Sequence, residues 1–191
     1  MRKLKIRNIV ICLALVLALA GGLFGYNIIL KGQGEITEQA ATRGDDVPPE
    51  GVTFIEPEMV SLADALSGTA DTQAAAKAAF DIVNAKRQEA GLGILTWNSG
   101  LEQASAVRAI EASQVFSHTR PDGSAWWTVN SNIMYGENLA KGYASADAAV
   151  KAWMDSPTHK ANIMDGGFTS GAIVIHVNGN GQWFWAQEFG Y

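Results

Sequence analysis

AIVIHVNGNGQWFWAQEF, residues 172–189, is the stretch whose reading decides the fold. Residues 172–177 are apolar and rich in β-branched side chains, as a buried strand requires. Asn178-Gly179-Asn180-Gly181 then offers residues that tolerate positive φ, the demand of a tight hairpin turn. Beyond it the chain alternates: Trp183, Trp185, Gln187 and Phe189 fall on one side, Phe184, Ala186 and Glu188 on the other.

Upstream the period changes from two to 3.6. Residues 73–90, QAAAKAAFDIVNAKRQEA, are strong helix formers, with Thr72 as a start, Gly91 as a stop, and Ala76, Ala79, Phe80 and Val83 on one face. A short apolar stretch, 92–97, leads to Asn98, an N-cap for a second helix over 99–116 with Leu101, Ala104, Val107 and Val115 on one stripe. Arg108 and Glu111 project onto that same stripe. Three residues apart, they can pair, as a snorkelling edge or as a buried ion pair, and the edge with solvated heads is the favoured reading because fully buried charges are uncommon. Ser145 and Asp147 open a third helix, 145–155, that buries Ala149, Val150, Trp153 and Met154. Ser156-Pro157 starts a short fourth over 158–164, since proline suits a first helical turn. The prediction is an α+β domain: three to four helices packed on a small antiparallel sheet that ends in the C-terminal hairpin.

The chain has 191 residues, 48% of them hydrophobic, and a net charge of −5, which fits about one domain. An acidic balance argues against a nucleic-acid partner, and a single cysteine excludes an intrachain disulfide framework or a cysteine zinc finger. The charge is uneven. Residues 1–31 carry Arg2, Lys3, Lys5, Arg7 and Lys31 and no acid; residues 32–71 carry Arg43 against nine acids; 72–191 are nearly balanced. Residues 9–30 contain no charge, and as a helix they would cross roughly 30 Å of hydrocarbon. Four basic residues before them place the N-terminus inside the cell and everything after Lys31 outside. Two readings stand: an uncleaved signal anchor, or a signal peptide cut after Ala18-Leu19-Ala20. Both export the domain. Residues 32–71, acidic and containing Pro48-Pro49, read as a flexible linker. The organisation is then 1–31 membrane anchor or signal peptide, 32–71 linker, and 72–191 globular domain.

Three histidines bear on chemistry. His118 lies just after the second helix, before the turn residues Pro121-Asp122-Gly123, and His159 sits at the start of the fourth helix. Between them, in Tyr135-Gly136-Glu137-Asn138-Leu139-Ala140, Glu137 offers a carboxylate. Two imidazoles and a carboxylate are donors enough for a three-ligand metal site with an open position. His176 reads as a strand-edge or core-rim residue. The His-Glu-x-x-His helix, the Gly-x-Ser-x-Gly elbow and a glycine-rich phosphate loop are all absent, and Cys12 lies in the apolar run, so no cysteine nucleophile is available to the domain.

Five motifs in order, Val83-Asn84-Ala85-Lys86-Arg87, Leu95-Thr96-Trp97-Asn98, Phe116-Ser117-His118, the Gly136-Glu137-Asn138 segment, and 152–164 with Ser156-Pro157-Thr158-His159, resemble the bacterial branch of the CAP superfamily (SCP/PR-1-like). The resemblance covers roughly residues 73–191. It implies an α-β-α sandwich and an open cleft holding two histidines and two acidic residues, which in some members bind a divalent cation. By that resemblance His118, His159 and Glu137 are the cleft and metal residues, with zinc the candidate ion and Glu137 the candidate catalytic group. The second acid of the eukaryotic pattern falls here on Ser156, with Asp155 one residue earlier and about 100° away around the helix. The fourth cleft position therefore stays open between Ser156 and Asp155.

Three functions follow as expectations. The first is a non-enzymatic extracellular binding module for a lipid, cell-wall or protein ligand, with Trp126, Trp127, Trp183 and Trp185 as contact area beyond what the core takes. The second is a metal-assisted hydrolase of peptide or wall polymer in the same cleft. The third is a surface protein with a purely structural role.

Overall fold

A computed structural model describes residues 35–36, 41–42 and 70–191. The predicted membrane segment 9–30, the cleavage position after Ala20 and most of the linker lie outside the described residues. No helix among the described residues is long and apolar enough to cross a membrane.

The elements run β1 (Glu35–Ile36), β2 (Ala41–Thr42), α1 (Ala70–Glu89), β3 (Thr96–Trp97), α2 (Ser99–Gln114), a 3-10 turn (Trp126–Val129), β4 (Gly136–Lys141), α3 (Ala146–Asp155), α4 (Pro157–Ile163), β5 (Ser170–Val177) and β6 (Trp183–Gly190). The hairpin forms as read: β5 and β6 pair antiparallel from Ser170↔Gly190 to Val177↔Trp183, and Gly181 turns the chain at φ 76°. Sheet order is β1-β4-β6-β5-β3, with β2 also on β4. The α+β architecture holds, with one parallel pairing, β3 on β5, added to the antiparallel set.

Alternation along the strands sorts side chains into two layers of core. On one face Ile173, Ile175, Trp185, Phe189 and Ala140 pack under α1 and α3 through Phe80, Val83, Val150 and Trp153. On the other, Leu139, Phe184 and Ala186 meet Ala109 and Ala112 of α2. Alanines along α2 let this helix approach the sheet closely. The buried indoles are tied as well as packed: Trp153 Nε1 donates to Leu139 O at 3.2 Å and Trp185 Nε1 to Tyr143 O at 2.8 Å.

Three local readings change. The linker interpretation of 32–71 does not hold at β1 and β2, which pair with β4, nor at Ala70 and Asp71, which open α1 two residues before the predicted start. A strand edge recruits extended chain whatever its composition, and composition was the ground for the linker reading. Thr72 is accordingly not a cap but a buried residue within α1. Asn98 does cap α2, its Oδ1 accepting from Gly100 N at 2.8 Å and Leu101 N at 3.1 Å, but α2 ends at Gln114, where Val115 turns extended. That turn lets Phe116 pack against Phe184 and starts the loop that carries His118.

Candidate functional site

The site is assembled around Arg108, which projects from α2 toward the sheet with no exposed surface. Its guanidinium grips Glu137 of β4 at both carboxylate oxygens, Nε to Oε2 at 2.6 Å and Nη2 to Oε1 at 3.1 Å. Nη1 donates to Glu111 at 2.6 Å and Nη2 to Ser117 O at 2.8 Å, which fixes the loop leading to His118. Arg120 closes the other side of Glu111 at 2.8 Å. His118 Nδ1 in turn donates to Glu137 Oε1 at 2.7 Å. The chain Arg120–Glu111–Arg108–Glu137 alternates in sign and His118 adds a hydrogen bond at its end, so each buried charge has an opposite neighbour, the condition under which an interior tolerates charge. The reading of Arg108 and Glu111 as solvated edge residues does not hold: Arg108 is wholly buried because a carboxylate waits for it on β4.

The second arm comes from α4. Pro157 at the first helical position sets the turn that brings Ser156 Oγ to 2.7 Å from His159 Nδ1. The His159 backbone carbonyl accepts from Asn138 Nδ2 at 3.2 Å, which ties the start of α4 to β4. Burial, and then the field of His118, push the His159 imidazole down to about 4, so the two predicted histidines sense one another. The structure thus pairs His118 with Glu137 and, separately, His159 with Ser156. Asp155 pairs with Lys151 on the exposed side of α3, whereas Ser156 is hydrogen-bonded to His159. His176 is half-buried on β5, the rim position read for it.

A family model for the CAP group, the cysteine-rich secretory protein family, matches residues 80–189. The chain belongs to the CAP family. This CAP domain is 31% identical over 130 residues to the uncharacterised protein YkwD of Bacillus subtilis (strain 168), a match spanning 64% of this chain and 49% of that protein, so the chain spans about half the length of that curated relative. Its fold is similar to an outer surface protein from Borrelia burgdorferi (TM-score 0.57, 20% identity, 63% of this chain and 94% of that one). It is also similar to a Bacillus anthracis extracellular protein containing an SCP domain (TM-score 0.53, 21% identity, 62% and 41%).

The CAP resemblance implied a divalent cation on His118, His159 and Glu137, and Glu137 is not free to be one of its ligands. Both Glu137 oxygens are engaged, the carboxylate has no exposed surface, and a guanidinium lies against it where a dication would be repelled. No group of three or more His, Cys, Asp or Glu among the described residues is arranged to hold a metal ion. Nor does Glu137 suit the role of general base. Burial alone would raise its carboxyl, but Arg108 and His118 outweigh burial and hold it down at about 2, too weak to take a proton near neutrality. Glu137 positions His118 instead.

Sequence reasoning missed Glu188 as well. The ladder sets it directly opposite Glu137, on the α2 face, with no exposed surface. Burial, then the Glu137 carboxylate, push its carboxyl well above the ordinary range. It is therefore neutral in the fold where it would be ionised in the unfolded chain. For an acid raised on folding, stability is complete below the unfolded pKa and is lost as pH rises beyond it. Glu188→Gln will raise Tm by a few degrees at about pH 8 and by nothing near pH 4, read by thermal unfolding across pH. A difference that does not vary with pH would refute this.

Proposed function

We propose that this CAP chain is exported and membrane-tethered and acts outside the cell as a non-enzymatic binding module. The observation that carries the reading is the mutual neutralisation of the site: Arg108, Glu137, Glu111, Arg120 and His118 satisfy one another at 2.6–3.1 Å, and Ser156 is spent on His159. Such a network makes a rigid platform. Export is supported by the uncharged run 9–30 behind four basic residues. It agrees with the outer-surface and extracellular descriptions of the Borrelia and Bacillus anthracis neighbours. Trp126 and Trp185 belong to the core, whereas Trp127 and Trp183 are half-buried and supply contact area.

Two arms test this on the full chain. A membrane-impermeant thiol reagent on intact cells should label a cysteine introduced at exposed Gln73. Purified protein should release no label from casein or peptidoglycan while binding one of wall, lipid vesicle or protein saturably. Turnover that disappears in both His118→Ala and Glu137→Gln would replace the module with a hydrolase, and an unlabelled Gln73→Cys chain would place the domain inside.

A further inference from the structure

We propose that the outer edge of β4, with Asn162 and the pocket under Trp126, is a strand-capture site for an extended peptide bearing a small side chain, filled in this structure by the chain's own residues 35–36 and 41–42. The inference names a ligand class for the binding module and rests on that reading for its meaning in the cell; its own test is run on purified protein and answers separately from the export and turnover arms.

Four observations converge. First, the resident segment is held as an added strand: Glu35↔Lys141 and Ile36↔Ala140 at one end of β4, Ala41↔Glu137 and Thr42↔Gly136 at the other. Main-chain pairing of this kind gives affinity without regard to sequence. Second, α4 supplies a clamp. The buried amide of Asn162 donates to Ala41 O of the guest at 3.1 Å and to Glu137 O of the host at 3.2 Å. One side chain thus grips the main chains of the captured strand and of the strand that captures it. Third, the guest side chain is read by a pocket. Ala41 is 5% exposed among Leu101, Ala104, Trp126, Met134 and Ala172, and alternation gives a strand-addition site its selectivity at such positions. A large side chain cannot seat there without displacing α2 or the Trp126 turn.

Fourth, the walls carry a polar atom that alanine leaves unsatisfied. Ala41, Glu137, Glu188 and Ala172 form one row across β2, β4, β6 and β5. In that neighbourhood the fully buried Trp126 Nε1 has no hydrogen-bond partner. Buried polar groups are normally partnered, and an orphan costs about 1–3 kcal/mol. Alanine is thus a tolerated occupant that leaves room for a better one, and a small hydroxyl residue is the natural candidate. The outer ion pair, Lys141 to Glu35 at 3.0 Å, is partly exposed and adds little. The same edge adjoins Glu137, so capture of a strand is felt directly at the Arg108–Glu137–His118 cluster.

The test uses the full chain in detergent, with residues 44–50 replaced by a site-specific protease sequence so that one cut makes the N-terminal piece non-covalent. A fluorescent peptide of residues 34–43, GEITEQAATR, is then added and its anisotropy followed. Saturable binding is expected for this peptide and for its Ala41→Ser form, with at least tenfold weaker binding for its Ala41→Trp form. As a second measurement, the cut should release the N-terminal piece from a chain carrying Ala41→Trp and retain it in the parent, read by gel filtration. Equal binding of the Ala41 and Ala41→Trp peptides, or release of the piece from the parent with no peptide binding afterwards, overturns the proposal.

Discussion

Arg108→Met will destabilise the domain by about 4 kcal/mol, and the loss will be largely recovered when Glu137→Gln is added. Methionine matches the arginine stem in volume, so packing is nearly kept and the change isolates the charge. With the guanidinium gone, a carboxylate without exposed surface retains only the His118 Nδ1 hydrogen bond, and removing one partner of a buried pair costs about 3–5 kcal/mol. Glu111 and Ser117 O lose their shared donor at the same time. Neutralising Glu137 removes most of the penalty, and the double-mutant cycle measures the coupling. The pH dependence carries the sign. Glu137 is depressed to about 2 in the fold, so the stability it contributes is present above the ordinary carboxylate range, about 4.3, and is lost as pH falls through about 2. In Arg108→Met that depression is gone, and the gap from wild type should narrow as pH falls toward 4. Urea unfolding of the four proteins at about pH 7 and pH 4.5 checks both statements. Additive single losses would mean that Arg108 acts only through packing.

Much of this was legible in the sequence, and the illegible parts share a physical cause. The hairpin, the cap at Asn98, the proline start of α4 and the apolar faces of α1 and α3 follow from local rules, and each formed within a few residues of its reading. β4 was not read as a strand at all, although it is the strand beside β6 that carries the site. GENLAK has glycine, asparagine and glutamate where strands favour β-branched residues, and it becomes a strand because β6 and the outer segments pair with it. Residues 35–36 and 41–42 escaped for the same reason: an acidic stretch binds an edge through its main chain. Of the site, His118, His159, Glu137 and Ser156 could be named from motif order, but their roles could not. The one signal pointing to the organising residue was the charged pair on α2's apolar stripe. Frequency favoured a solvated edge, and only the carboxylate arriving from β4 reverses that judgement. Glu188 gave no signal beyond its parity.

Arg87→Met should lower stability by a similar amount, about 4 kcal/mol, by a different mechanism. This guanidinium is 1% exposed, and its hydrogen bonds go to backbone carbonyls. Nε reaches Gly93 O at 2.8 Å, Nη1 reaches Ile163 O and Asp165 O at 2.8 Å, and Nη2 reaches Phe168 O at 2.9 Å. The four acceptors belong to three segments: the loop after α1, the C-terminal end of α4, and the approach to β5. Ile163 O is among the last carbonyls of α4, which have no partner within the helix, so Arg87 serves as that helix's cap. Charged donors to neutral acceptors are worth about 1.5–3 kcal/mol each in favourable cases, and four buried carbonyls cannot all find water when the donor leaves. For a domain of this size the expected fall in Tm is about 15 °C. Arg87→Lys separates geometry from charge: an ammonium cannot span acceptors placed for a planar fork, so it should recover less than half of the loss. Because α4 carries both His159 and Asn162, loosening its end should also weaken capture of the 34–43 peptide, whereas a destabilising change on the far face of α1 should not. Full stability in Arg87→Lys would show that the charge, and not the fork, holds the three segments together.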